Sequence, residues 1–313
     1  MKTSLLLLVT LISVNVLGAD SNWHQIPAGT GGILNSVFFC DQDRGMAVTS
    51  DGLIIKFFDK GKVSFDTLQQ NLPLQGIFFL PGCEKGFICG AKGSLFRTTD
   101  GGQTWSRQQF DSSYWFFDIS FSDSLHGLLI GSNVHSEYSM AGVAFITSDG
   151  GITWDSVAIK GRQLDNIDIS PEGITAVTGA GRIFISRDRG KTWEEHNSPE
   201  GGAVRAAAIR GNIGLMVGMN GYVALSDDTG HTWQKYLVLS EDKHLLDLVM
   251  VDAKRMYAGG GDGVILYSDD SGRDWIPEAS TTNGELMEMR KIGNRLYACG
   301  SSGILIYKDL GKK

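Results

Sequence analysis

Five copies of one phrase constrain this chain more than any other feature. They are TTDGGQTW ending at Trp105, TSDGGITW at Trp154, SRDRGKTW at Trp193, SDDTGHTW at Trp233 and SDDSGRDW at Trp275. Each reads Ser/Thr-x-Asp-x-Gly-x-(Thr/Asp)-Trp. A short Asp or Ser/Thr side chain accepts hydrogen bonds from backbone N–H groups a few residues on, so the turn is held locally. The Gly supplies a positive φ at little steric cost. The Trp is a large apolar anchor that tucks under the turn and has one indole N–H to satisfy. In the fourth copy an apolar strand, Gly221–Leu225, runs in and a Trp-led strand, Trp233–Leu239, runs out. The unit is a β-hairpin whose turn bonds to itself.

The spacing of the phrase sets the architecture. The five Trp positions lie 49, 39, 40 and 42 residues apart. A period near 40 with four short strands per unit is the signature of a β-propeller blade. A relaxed pattern adds Asp59-Lys60-Gly61 before the first copy and Asp309-Leu310-Gly311 after the last, so seven box aspartates are expected: Asp59, Asp100, Asp149, Asp188, Asp228, Asp270 and Asp309. The last copy has no Trp and no strand after it. Asn22-Trp23-His24-Gln25-Ile26 looks like the strand that follows a box, without the box. The expected fold is therefore all-β: one seven-bladed propeller of four-stranded antiparallel blades, its N-terminal strand closing the last blade. With 41 Gly and 6 Pro the composition suits many short strands and tight turns.

Residues 1–19 read as a signal peptide, with Lys2 as the positive region, an apolar run from Leu5 to Val16 and small residues at Gly18-Ala19. No Cys follows that pair to accept a lipid. Residues 20–313 then form the propeller. Removing residues 1–19 takes one of the 28 basic residues and none of the 35 acidic ones, which leaves 27 − 35 = −8. An acidic chain argues against general binding to nucleic acid or anionic membranes.

Each repeat has an apolar inner strand, a second strand ending in Gly, a third strand, the box and an outer strand. The box joins strands three and four, so the turns between strands two and three and the links between blades form the opposite face. The 49-residue spacing places an insertion there, Ser132 to Gly142, and binding loops collect at such interruptions. On this open face the expected partner-binding residues are Tyr114 and Trp115 in the link into blade three, His135, Glu137 and Tyr138 in the insertion, and Arg162, Arg182 and Arg205. Aromatic and Arg side chains are the usual anchors of protein interfaces. Acidic residues, Asp247 and Glu288 among them, are expected across from them. The six His are scattered without a ligand spacing, so no metal site is expected; no cofactor motif occurs either. Cys40 ends the inner strand of blade one and Cys83 lies in the matching hairpin of blade two, which makes a Cys40–Cys83 disulfide feasible. Cys89 and Cys299 sit at matching positions of non-neighbouring blades and read as small buried apolar residues.

The phrase is similar to the Asp-box, or BNR, repeat of sialidase-like propellers, and the whole pattern resembles the photosystem II assembly and stability factor family. That resemblance implies a non-catalytic, exported scaffold that binds a protein partner such as a membrane-complex subunit, with Arg162, Arg182 and Arg205 where the family has a basic surface patch; a monomer is expected. The compartment would be periplasmic or extracellular, or the thylakoid lumen in a photosynthetic source. The alternative is a sialidase-like glycoside hydrolase or glycan-binding propeller. The resemblance to sialidases would then require an arginine triad, a Tyr with a Glu partner and an acid Asp. Here Glu137 and Tyr138 are adjacent, so an extended segment points them apart, and blade one has Arg44 alone.

Because the boxes recur in every blade, they are read as structural. Asp188→Asn should lower the melting temperature while leaving partner binding intact. Lost binding with an unchanged melting curve would show that the aspartate faces a ligand instead.

Overall fold

In the computed structural model, which describes residues 22–59, 61–134, 141–159, 163–237 and 243–311, the strands pair into seven four-stranded antiparallel sheets. The first described strand is β1 (His24–Gln25). Blade one follows as β2 (Leu34–Phe39), β3 (Gly45–Thr49), β4 (Leu53–Phe58) and β5 (Lys62–Thr67), innermost to outermost. Five more blades repeat this order. The seventh has three strands of its own, Leu286–Ile292, Arg295–Gly300 and Leu305–Asp309, and takes β1 as its fourth. His24 pairs with Tyr307 and Gln25 with Ile306.

The closure reproduces a box without its turn. Trp23 is 2% exposed and meets Tyr257 of blade six edge-on, ring centres 6.4 Å apart at 85°. Trp154, a true box Trp, meets Phe87 of the preceding blade at 6.2 Å and 90°. The polar ends match as well: Trp23 Nε1 donates to Glu278 at 3.0 Å, as Trp154 Nε1 donates to Gln108 at 3.2 Å. Glu278 and Gln108 both end the outer strand of the preceding blade.

Buried apolar side chains fall into seven clusters, one in each gap between neighbouring blades. Each cluster draws on two sheets, so no blade is stable alone. The Gly that ends the second strand has a steric cause. At Gly90, Gly131, Gly179, Gly218, Gly260 and Gly300 a Cβ would lie only 1.9–2.2 Å from a carbonyl oxygen near the start of the neighbouring inner strand, that of Pro73, Trp115, Gln163, Ala203, His244 and Glu285 in turn.

Three sequence expectations are corrected. Asp59 stands at the box position, but Phe57 takes the place of the box hydroxyl and the ladder runs on to a Phe58–Lys62 pair. Its carboxylate meets Lys62 at 3.4 Å instead. Asp309 is one residue out of step, because Lys308 pairs with Leu296 as Ser268 pairs with Met256; Asp309 is bound by Arg295 at 2.7 Å. Five boxes form, therefore, among the described residues. Tyr114 and Trp115 lie within the inner strand Tyr114–Phe121, not in the link before it.

Cys40 and Cys83 form a disulfide, S–S 2.08 Å, that joins the first hairpins of blades one and two. Cys89 and Cys299 are free and buried. The bridge spans 43 residues, which corresponds to about 3–4 kcal/mol of unfolded-chain entropy. Replacing both cysteines by Ala, or reducing the protein, should lower the denaturant midpoint accordingly. An unchanged midpoint would mean that packing alone holds the two hairpins.

Candidate functional site

The five formed boxes show why the phrase is repeated. In the box at Asp228, the Ser226 hydroxyl donates to Asp228 at 2.8 Å and accepts from Gly230 N–H at 2.8 Å. The other carboxylate contacts come from Thr232, N–H at 2.8 Å and hydroxyl at 2.6 Å. Trp233 donates its indole N–H to the Gly230 carbonyl at 2.9 Å. All the partners are local, so the aspartates have no chemistry left over. Hydrogen bonds to the charged form hold these carboxyls low. The Thr104 hydroxyl leads in bringing Asp100 to about 2, and the Thr153 hydroxyl does the same for Asp149. At Asp188 and Asp270 burial pushes upward but the turn bonds outweigh it.

The inner strands place a different set of side chains around the central channel. In six of the seven, a bulge interrupts the ladder near its start, between Leu34 and Ser36, Leu74 and Gly76, Phe116 and Asp118, Val204 and Ala206, Leu245 and Asp247, and Leu286 and Glu288. The extra residue turns two consecutive side chains toward the channel. Their second members include Ser36, Asp118, Asp247 and Glu288. Each of these accepts the backbone N–H of the next blade: Ile77 to Ser36 at 3.2 Å, Ile167 to Asp118 at 2.9 Å, Met289 to Asp247 at 2.7 Å and Val37 to Glu288 at 2.8 Å. Asn166 reaches across to Asp247 at 3.3 Å. Arg290 bonds Glu288 at 2.5 Å and lies over Phe38 and Phe78. Asp247 and Glu288, expected on the open face, therefore belong to the channel wall.

This ring divides the channel into two cavities. The one toward the box face holds about 500 Å³, lined by Phe38, Phe78, Arg290 and the Arg210–Asp168 pair above the acidic ring. The one toward the open face holds about 240 Å³. Its lip is made by the first members of the bulged pairs: Asn35, Gln75, Phe117, Arg205, Leu246 and Met287, with Gln163 and Asp165 from blade four.

Of the sequence-predicted set, Arg205 is exposed at this mouth. Trp115 is half-buried, stacked on Phe117 at 6.0 Å and 11°, so it supports the lip from behind. Tyr114 packs on Phe116 and Phe145 inside the gap between blades. Arg182 is on the same face but away from the mouth, paired with Glu195 of the outer strand. His135, Glu137, Tyr138 and Arg162 lie outside the described residues. Phe117, Gln163, Asp165, Leu246 and Met287 were missed. Aligning the inner strands on the residue that lies against the Gly ending strand two, Phe116 or Leu164 for example, would have found most of them, since the lip is the next position of that alignment.

Fold and mouth together define an Asp-box propeller with a mixed cup at one end of its channel, Arg205 and Asp165 beside Phe117, Leu246 and Met287, and a structural acidic ring inside. The chain belongs to the family described as photosynthesis system II assembly factor YCF48, whose model matches residues 16–308. It is 26% identical to the photosystem II assembly lipoprotein Ycf48 of Synechococcus sp. (strain CC9902), covering 86% of this chain and 85% of that protein. It is 22% identical to the photosystem II stability/assembly factor HCF136 of Arabidopsis thaliana, with 77% of each covered. Among solved structures, YCF48 bound to D1 peptide superposes with a TM-score of 0.77 at 20% identity, covering 94% of this chain and 99% of that one. YCF48 from Cyanidioschyzon merolae gives 0.75 at 18% identity, covering 92% of this chain and 98% of that one.

Two kinds of carboxylate pull stability in opposite directions with pH. Burial pushes Asp118 up to about 7, against the pull of Arg290, and Asp247 up to about 8, against the Met289 N–H. A raised pKa stabilises fully below the unfolded value near 4, and the benefit is lost as pH rises through 7–8. The box aspartates are lowered, so their benefit is present above about 4 and lost as pH falls through about 2. Melting temperature should thus peak between roughly pH 4 and 5, decline toward pH 8 and collapse near pH 2. A profile flat from pH 5 to 8 would show that the ring carboxyls titrate normally.

Proposed function

We propose that the protein is a non-catalytic, exported scaffold that binds a segment of a membrane-complex subunit at the open-face mouth, as an assembly factor does. The observation that carries this reading is the division of labour in the channel. Every carboxylate of the ring is spent on a backbone N–H of the next blade, whereas Arg205, Phe117, Leu246 and Met287 surround an open cavity. An Arg beside aromatic and aliphatic surface is the composition of a protein-binding hot spot. Family membership supports the same reading, since relatives carry the name of assembly factors and the solved YCF48 structure holds a D1 peptide. Export rests on residues 1–19 and on relatives described as a lipoprotein and as chloroplastic.

A glycosidase reading has less to stand on. Among the described residues no Tyr lines either channel cavity, and two of the nearby arginines are committed, Arg210 to Asp168 and Arg290 to Glu288.

The mature chain, immobilised and exposed to detergent-solubilised membranes of its own source, should capture a membrane-complex subunit identified by mass spectrometry. Arg205→Glu with Phe117→Ala should cut that capture about tenfold or more, as loss of hot-spot residues does, with the melting curve unchanged. Undiminished capture would place the partner elsewhere, and turnover of sialoside or glucan substrates by the wild type would overturn the non-catalytic reading.

A further inference from the structure

The outer strands are the free edges of this propeller, and they are not alike. Among the described residues, six have two to four residues. The outer strand of blade one, β5, has six, Lys62 to Thr67, and all six pair with β4 without a bulge. The cause is the missing box. Where other blades spend their residues on a box turn, blade one closes with a tight hairpin at Asp59, so the ladder runs from end to end. Among the described residues nothing pairs with the far edge of β5.

Edge strands are normally blunted by shortness, charged side chains, Pro or bulges; β5 has only the charges, Lys62 and Asp66, and these are of opposite sign. It also carries Phe65, 48% exposed. Its sequence, Lys-Val-Ser-Phe-Asp-Thr, is complementary to itself when read antiparallel. A two-fold axis through Ser64 sets Lys62 opposite the second copy's Asp66 twice, and Val63 opposite the second copy's Phe65 twice. Both pair types are favourable across an antiparallel ladder. Antiparallel edges bond only in registers that match outward-facing residues with each other, and this register does so. The register centred on Phe65 also qualifies, but it leaves both lysines without an acid. Lys62 is 68% exposed at its side chain and Asp66 46%, so both are available. The partners they already hold, Asp59 at 3.4 Å and Lys56 at 3.1 Å, leave room for a second contact on a carboxylate or ammonium.

We propose that β5 is a self-association edge, through which two copies of this chain pair antiparallel about Ser64 to make one continuous eight-stranded sheet. This goes beyond the partner-binding reading and departs from a monomer. Pairing at the rim leaves each channel mouth open, so the dimer presents two cups to a partner and gains from bivalency. An isologous contact of this kind is closed and does not polymerise.

The edge is short, so the association should be weak and concentration-dependent. Sedimentation velocity of the mature chain up to about 1 mM should show a monomer–dimer equilibrium. Lys62→Asp alone, or Asp66→Lys alone, turns both ion pairs into repulsions and should weaken the dimer about tenfold. An equimolar mixture of these two variants restores both pairs across a mixed dimer, and so does the double variant K62D/D66K with itself. Both should recover wild-type association, with melting curves confirming that every variant is folded. A protein monomeric throughout the range would overturn the proposal. So would a dimer insensitive to the single changes, or one that the mixture and the double variant fail to restore.

Discussion

The structure depends on a ring of seven sheets meeting itself. Every gap between blades is filled by a cluster shared by two sheets, so an unclosed ring would expose the faces of its first and last blades. The chain closes by splitting the seventh blade. Three strands come from the C-terminal end and the fourth, β1, from the N-terminal end. Trp23 makes that joint hold. It occupies the slot Trp154 fills in blade three, with the same edge-on aromatic contact and the same kind of outer-strand acceptor. Blades six and seven are thereby locked by the same contact that locks two and three.

Closure brings seven equivalent inner strands around one axis, and the bulge near the start of six of them decides what faces it. Two neighbouring side chains turn inward, and they part in role. In four of these strands the deeper one, Ser36, Asp118, Asp247 or Glu288, stitches its blade to the next by taking a backbone N–H. The shallower one forms the lip of the open-face cup. The deeper ring could be mistaken for an active site, since three carboxylates and an arginine meet in a channel. Their bonding argues otherwise. An acid that holds a backbone N–H of the next blade cannot move a proton without loosening the ring. The lip, where Arg205 and Phe117 sit, is the surface proposed for recognition.

Much of this was legible in the sequence because a repeat is a ruler. Blade count, strand order, the box turn, the closure and the Cys40–Cys83 pairing all follow from spacing and turn chemistry. The errors also have a common form. Asp59 fails as a box because Phe57 cannot replace a hydroxyl, and Asp309 is displaced by one residue in the ladder. Tyr114 and Trp115 begin a strand rather than lie in a link, and Asp247 and Glu288 line the channel rather than the open face. A period near 40 finds a blade, but the direction of a side chain changes with every residue of a strand. A single bulge is enough to reverse it.

What the sequence determined by itself was the local grammar: the self-bonded boxes, the glycines that end each second strand, the family and the number of blades. These rest on contacts within a few residues or on a repeat that counts itself. Tertiary structure alone decided which residues share the channel. Asp118, Asp247 and Glu288 are far apart in the chain and meet only because seven strands converge on one axis. The same holds for the cup at Arg205 and for the long edge at β5, since what a side chain faces across an axis or beyond an edge is set by closure and register rather than by its neighbours in sequence.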